Sequence, residues 1–244
     1  MRRKLTTIVL CSGGLDSVTL AHKLAAEQGR ALHLLSFDYG QRHRKEIECA
    51  RLCADLLRAR HRTVDLTDVG RLLTGSALTD DLGVPEGHYA EGTMRRTVVS
   101  NRNAILLSVA FGVACSVNGS AVAAAFHGGD HFIYPDCRSG FVNAFATMER
   151  AALDGFADIR LETPFLHWTK AKIVSEAARL GVRFENTWSC YKGEDRHCGR
   201  CGTCVERREA FHLAGVADPT AYQDPNFWIE ARKNYAAQHA DRTV

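Results

Sequence analysis

The stretch VLCSGGLDSVTL, Val9 to Leu20, sets a short apolar run directly against a Ser-Gly-Gly turn and resumes an apolar pattern after Asp16. LTTIVLC reads as a β-branched strand, and DSVTLAHKLAAEQG carries apolar residues at helical spacing up to Gly29, a C′ residue. A turn that leads from a strand into a helix exposes unpaired N–H groups at the positive end of the helix dipole, and that geometry binds phosphate. Gly13 and Gly14 let the backbone approach an anion, with Leu15 and Cys11 flanking, while Ser12 and Ser17 add hydroxyls. Asp16 has two readings: a carboxylate that meets a divalent cation on the phosphate, or a cap on the helix. The loop has neither the lysine of a Walker A motif nor the glycine spacing of a dinucleotide fingerprint.

The same rhythm continues outward. ALHLLSFDYG and HRTVDL read as strands around the amphipathic helix HRKEIECARLCADLLRAR, as in a parallel α/β sheet. RNAILLSVAFGVACSVN, AVAAAF, FVNAFATMERAAL, DIRLETP and TKAKIVSEAARLG continue as helix, strand, helix, strand, helix, which predicts five strands in all. Residues 67–97 break the pattern with scattered glycines, and a connection of that length is often a lid or a binding loop. Residues 1–183 are therefore expected to form a nucleotide-binding α/β domain and residues 184–244 a small C-terminal segment ending in helices. Within the latter, DPNFWIEARKNYAAQ shows aromatics at helix-like spacing that look free to pack on a partner chain.

The chain has 244 residues, 45% hydrophobic, and a formal net charge of only +3. It can bury a sizeable core, and it lacks the strong positive field of a dedicated nucleic-acid binder. No apolar run approaches the roughly 20 residues needed to cross a bilayer, and the start MRRKLTTIVLCSGG reaches glycine before a signal-peptide core forms. A cytoplasmic protein is expected, in which nine cysteines point to metal or reactivity rather than disulfides. Cys190, Cys198, Cys201 and Cys204 form C-x7-C-x2-C-x2-C, with Gly199 and Gly202 permitting tight turns. Four thiolates close the shell of a structural zinc at about 2.3 Å each, while an iron–sulfur cluster or a redox C-x-x-C uses the same residues. The segment depends on these thiolates more than on apolar contacts, so metal loss is expected to raise substrate KM before it disturbs the nucleotide loop. Cys49, Cys53 and Cys115 do not group and read as small buried hydrophobes.

SGGLDS in its strand–loop–helix setting resembles the loop of the N-type ATP pyrophosphatases, the PP-loop superfamily, which bind the pyrophosphate part of ATP there and transfer AMP to a substrate oxygen. With FDYGQRH, NRN, YPDCR and TWSCYKG...HCGRCGTC in order, the chain closely resembles the 7-cyano-7-deazaguanine (preQ0) synthase family of queuosine-precursor biosynthesis. That resemblance implies an adenine nucleotide alpha hydrolase-like sheet, ATP with Mg2+, one structural zinc, a homodimer, and conversion of 7-carboxy-7-deazaguanine and ammonia to the nitrile through an amide. Its residue roles follow: Asp16, Ser17 and Lys170 for catalysis; Cys11, Ser12, Gly13, Gly14, Leu15, Asp16, Ser17 and Asp38 for ATP. Arg102, Asn103, Tyr134 and Arg138 are expected at the substrate. Asp130 and Asp136 are the carboxylates expected to accept from N1–H and the 2-amino group of the deazaguanine edge. Cys137 is read as a pocket wall, since adenylation followed by ammonia attack needs no covalent enzyme intermediate. The chain departs from the family pattern at VSNRN, which stands in place of a glycine-containing V-P-G-R-N. Two rival readings are a tRNA thiolation enzyme of the same superfamily, which needs a persulfide-carrying cysteine, and a zinc-stabilised nucleotide-binding module without catalysis.

Overall fold

A computed structural model describes residues 5–239; the start of the N-terminal stretch and residues 240–244 of the C-terminal segment lie outside it. The strand order is β3-β2-β1-β4-β5, all parallel, with β1 at Leu5–Leu10, β2 at Arg30–Asp38, β3 at Arg60–Asp65, β4 at Ala121–Ala123 and β5 at Arg160–Glu162. The register pairs Val9 with Leu34 on one side and with Ala123 on the other, so β1 is the central strand. A buried parallel strand needs apolar side chains on both faces, and Ile8 and Val9 are accordingly both fully buried.

Successive side chains alternate between two cores. On one face Val9, Leu34 and Ala123 pack against α1 (Leu15–Ala25), α2 (Lys45–Leu57), α6 (Lys170–Arg179) and α7 (Gly202–Ala214), through Val18, Cys53, Ile173 and Phe211. On the other face Ile8, Leu35 and Val122 meet α4 (Arg102–Ser116) and α5 (Ser139–Ala152), through Leu107, Phe111, Val142 and Phe145. Phe211 thus carries the metal-binding segment into the main core. Cys53 is buried as expected, whereas Cys49 and Cys115 are only half-buried.

The chain winds from β1 outward to β3, then returns through α4 to place β4 on the opposite side of β1. Open parallel sheets bind ligands outside the strand carboxyl ends at such a reversal. The departure at VSNRN resolves at this return: Asn101 precedes α4 at φ 55° and ψ 20°, a left-handed conformation that asparagine tolerates where the family pattern has glycine.

Residues 67–97 are not a free lid. They begin with the short helix α3 (Thr67–Leu72), include a 3-10 turn at Gly92–Thr97, and then lie on the cysteine segment. Glu86 pairs with Cys201 as a β-bridge, Gly87 N donates to Arg200 O at 3.1 Å, and Lys192 and Arg200 both reach the Glu86 carboxylate. A Cβ on Gly202 would stand 2.6 Å from Met94 Sδ, so the strap packs closely where it crosses α7.

The C-terminal aromatics also differ from expectation. On α8 (Phe227–His239) Trp228 is buried, Phe227 lies under the Arg200 guanidinium at 4.1 Å, and Tyr235 stacks on His88 at 4.0 Å. They pack on their own chain, and sequence spacing alone could not show what covers them.

Arg207 of α7 is fully buried. It donates to Thr187 Oγ1 at 2.8 Å and Phe184 O at 3.2 Å and faces the equally buried Asp218 at 3.6 Å. Removing one partner of a buried pair leaves an uncompensated charge and costs about 3–5 kcal/mol. Asp218→Asn should therefore lower the denaturant midpoint by an amount in that range with an unchanged m-value; an unaltered midpoint would show that the pair does not hold this junction.

Candidate functional site

The cavity at the carboxyl ends of β1 and β4 takes its floor from Leu10, Cys11, Leu35, Phe37 and Ala124. At its edge the residues after β1 form a tight self-bonded loop. Ser12 Oγ accepts from Gly14 N at 3.1 Å; Ser17 Oγ accepts from Gly13 N at 3.2 Å and donates to Gly14 O at 3.1 Å. Gly13 has φ 93°, and a Cβ there would stand 1.8 Å from Glu46 O. Only glycine lets α2 press this closely on the loop.

Asp16 does not cap its helix: no side chain caps α1, and the Asp16 carboxylate points into the cavity. Its Oδ2 accepts from Lys170 Nζ at 2.5 Å and lies 3.7 Å from His127 Nε2, while Oδ1 is buried without a hydrogen-bond partner among the described residues. Burial works to raise this carboxyl, but Lys170, His127 and Arg207 outweigh it and hold Asp16 below the usual carboxylate value. Lys170 responds in the opposite sense. Burial alone would lower it, yet Asp16, Glu206 and Asp130 raise it, so it is fully charged.

His127 accepts from Gly129 N through Nδ1, which leaves Nε2 carrying the proton toward Asp16 and toward Asp130 at 3.5 Å. Asp130 Oδ1 accepts from Tyr89 Oη at 3.0 Å, and Glu206 Oε2 lies 3.4 Å from Lys170. The result is three carboxylates gathered around one ammonium and one imidazole, supplied by α1, α6, α7 and the turn after β4.

Across the cavity stands Arg102, at the first position of α4. It donates to Tyr39 Oη at 3.2 Å and lies over the rings of Tyr39 and Tyr134, with no carboxylate in ion-pair distance among the described residues. Tyr134 Oη bonds Thr97 at 2.7 Å and Tyr191 at 3.3 Å. His43 and Glu46 complete this side, 3.4 Å apart. Burial, with Arg102, pushes His43 down to about 3, and burial pushes Glu46 up to about 8 against the pull of Arg102 and Gln41.

Of the residues singled out from sequence, Cys11, Ser12, Gly14, Leu15, Asp16, Ser17, Lys170, Arg102, Asn103, Asp130 and Tyr134 line this cavity. Gly13, Asp38, Asp136 and Arg138 do not. Gly13 acts through its backbone from beneath. Asp38 is held by the Arg44 guanidinium and accepts from Gly40 N. Asp136 Oδ2 accepts from Asn103 N at 3.0 Å, so it caps α4 and thereby orients Arg102 and Asn103. Arg138 is exposed and donates to His131 O. The Cys137 thiol accepts from Asn103 Nδ2 at 3.2 Å, and burial raises it far above a reactive range, in keeping with a pocket wall. Sequence reading missed Tyr39, His43, Glu46, Tyr89, His127, Tyr191 and Glu206. FDYGQRH and TWSCYKG contain three of these, Tyr39, His43 and Tyr191, without showing which side chains turn inward.

The sulfurs of Cys190, Cys198, Cys201 and Cys204 all lie within 4.8 Å of one another and are buried. The Cys198 to Cys204 separation of 3.9 Å fits the edge of a tetrahedron with metal–sulfur bonds of about 2.3 Å, roughly 3.8 Å. Backbone N–H groups of Cys198, Arg200 and Cys201 point at the sulfurs at 3.3 to 3.4 Å, a second shell that suits thiolates. A cubane cluster, in which each thiolate binds a different iron, would hold them farther apart. The site therefore fits one metal ion.

This centre touches the phosphate loop itself. Trp188 N donates to Gly13 O at 3.0 Å, and Glu206, two residues beyond Cys204, reaches Lys170. The metal-binding segment therefore contacts the phosphate loop as well as the Lys170 side of the cavity.

Residues 6–215 match the family model described as Queuosine biosynthesis protein QueC. The chain is 63% identical over 232 residues to a 7-cyano-7-deazaguanine synthase of Sinorhizobium fredii, covering 95% of this chain and 98% of that one. It is 64% identical over 222 residues to the enzyme of that name from Brucella ovis, covering 91% and 95%. Among solved structures, a U34-tRNA thiolase, NcsA from Methanococcus maripaludis, is similar at 13% identity and a TM-score of 0.44, covering 99% of this chain and 69% of that one. With the loop, the cavity and the four-cysteine centre in one fold, and with identity of this extent over nearly the whole length, the chain belongs to the 7-cyano-7-deazaguanine synthase family.

Proposed function

We propose that this single cavity performs both activations of an ATP-dependent 7-cyano-7-deazaguanine synthase, on the carboxylate first and on the amide second. The observation that carries the reading is the shared cavity: the SGGLDS loop with Lys170 on one side, and on the other a half-buried Arg102 with no carboxylate in ion-pair distance among the described residues. A carboxylate is a poor electrophile and an amide oxygen a poor leaving group, and transfer of AMP to the oxygen removes both defects. The substrate carboxylate attacks the α-phosphorus of ATP and pyrophosphate leaves; ammonia displaces AMP and gives the amide. The amide oxygen attacks the α-phosphorus of a second ATP and pyrophosphate leaves, and loss of both N–H protons with departure of AMP forms the nitrile.

The residues divide this work. The amides of the glycine turn and the Ser12 and Ser17 hydroxyls receive the pyrophosphate, and Lys170 compensates the charge that builds on it. Arg102 holds the substrate carboxylate, with Asn103 and Tyr134 beside it. Asp16 Oδ1, a buried oxygen with no partner, fits a Mg2+ ion, which when bound neutralises the leaving pyrophosphate. Residues 1–183 form the nucleotide-binding part and 184–244 the metal-binding part. The centre of four thiolates takes zinc, with its shell closed and therefore structural. All nine cysteines are unpaired, as suits a reducing cytoplasm. Among the described residues no helix is long and apolar enough to cross a membrane. The low net charge argues for small-molecule substrates rather than nucleic acid, and the family resemblance favours a homodimer.

Exchange of labelled pyrophosphate into ATP should depend on 7-carboxy-7-deazaguanine and should be lost in Asp16→Asn together with its Mg2+ dependence. Exchange without the acid, or with tRNA instead, would reject this reading, and a variant with full turnover would remove Asp16 from the chemistry.

Zinc analysis should find one ion per chain. Because structural zinc contributes on the order of 10 kcal/mol in small modules, Cys201→Ser should lose zinc, melt at lower temperature, and show a raised KM for ATP as well as for the acid. Iron and sulfide in the purified protein, or normal melting of the variant with full zinc, would count against it.

A further inference from the structure

We propose that Glu46 reads the donor edge of the deazaguanine ring, its two carboxylate oxygens accepting from N1–H and the 2-amino group. The inference rests on the synthase reading above and names the residue that selects its substrate.

Four carboxyls line the cavity: Asp16, Glu46, Asp130 and Glu206. Three belong to the cationic cluster. Asp16 and Glu206 are held by Lys170, and Asp130 faces His127 and already accepts from Tyr89. Asp136, the other carboxylate named from sequence, caps α4 outside the cavity. Among the described residues Glu46 has no Lys or Arg within ion-pair distance, and its 3.4 Å neighbour His43 is held neutral by burial. Its side chain is only 13% exposed, and with a hydrogen bond from Gln41 as its one named donor it keeps acceptor capacity for two more N–H groups.

The setting suits a flat ring. Glu46 stands beside His43, whose ring lies 5.3 Å from that of Tyr191, and both rings line the cavity. The strand ends contribute Leu10, Leu35 and Phe37, an apolar lining better matched to adenine. The groups facing Glu46 are Arg102 from α4, Tyr39 and Gln41 from the loop after β2, Cys11 from the end of β1, and His43 and Cys49 from its own segment. Arg102 is charged and does not titrate near neutrality, burial holds Tyr39 and Cys49 above their usual values and His43 below its own, and hydrogen bonds from Cys53 and Ser17 hold Cys11 below the usual thiol value.

Proton linkage makes the idea testable. Free Glu46, at about 8, is protonated at pH 7, and two N–H donors stabilise the carboxylate, so substrate binding expels its proton. Affinity for the acid should rise roughly tenfold per pH unit from 6 to about 8 and then level. The protonated form presents one donor and one acceptor, the adenine pattern, and recognition of that base would release no proton.

Calorimetric titration of wild type and Glu46→Gln decides the matter, using 7-carboxy-7-deazaguanine, its analogue lacking the 2-amino group, and ATP, each in two buffers of different ionisation enthalpy. Wild type should release close to one proton at pH 7 on binding the acid and should prefer it over the analogue. Glu46→Gln, with wild-type zinc content and ATP affinity, should bind the acid about 10- to 100-fold more weakly, with no preference and no proton release. A variant that keeps the preference, or that loses ATP affinity instead, would overturn the assignment. So would wild type that binds the acid without releasing a proton, a measurement independent of whether the variant folds. Wild type that does not bind the acid at all would overturn the synthase reading itself.

Discussion

Lys170 Nζ stands 2.5 Å from Asp16 Oδ2 and 3.4 Å from Glu206 Oε2, and much of the molecule is arranged around that one ammonium. Asp16 sits in the first turn of α1, Lys170 opens α6 behind the Thr169 cap, and Glu206 lies on α7 between the metal centre and the sheet. Three segments far apart in sequence therefore meet in one charge cluster. In a partly dehydrated site a carboxylate left without its cation is costly, so the cluster fixes the relative position of the helices as well as the charge presented to phosphate.

The metal centre serves that placement. The cluster formed by its four cysteines and Tyr222 is small, while the rest of the segment is anchored by Phe184, Ala210 and Phe211 in the main core and by Val205 with Trp228. The ion closes the cysteine loops, the Glu86 strap crosses them from outside, and Arg207 ties α7 to the Phe184–Ser189 stretch from within. Trp188 N then bonds Gly13 O, so the staple ends on the phosphate loop. A centre of four thiolates is thereby coupled to the cavity through the positions of Trp188 and Glu206.

What was legible in the sequence was local. Strand, glycine turn and helix are contiguous in VLCSGGLDSVTL, and the cysteine spacing shows directly that the four thiolates can converge. What stayed hidden was tertiary. Asp136 and Asp130 sit in the same short loop, yet one caps α4 and the other enters the cavity, a difference set by where the helix begins. Glu206 and Glu46 lie on helices whose patterns do not mark them as inward facing. Their roles depend on which surface the metal segment and the loop after β2 cover. Trp228 and Tyr235 were misread for the same reason, since an aromatic on an amphipathic helix looks free until its neighbour is known.

The charge around the loop bears on turnover. Asp16, Asp130 and Glu206 stand against the single ammonium of Lys170, an arrangement that suits the proposed delivery of nucleotide with a divalent cation. The guanidinium that could have neutralised these carboxylates, Arg102, is instead kept across the cavity by Asp136, which caps its helix, and by Tyr39. That separation gives one side to phosphate with its metal and the other to a carboxylate-bearing ring. Each nitrile requires pyrophosphate and AMP to leave twice, and a phosphate subsite with surplus carboxylate repels those anions once the cation departs. On the proposed reading, weak retention of products would follow from the same cluster that orders the fold.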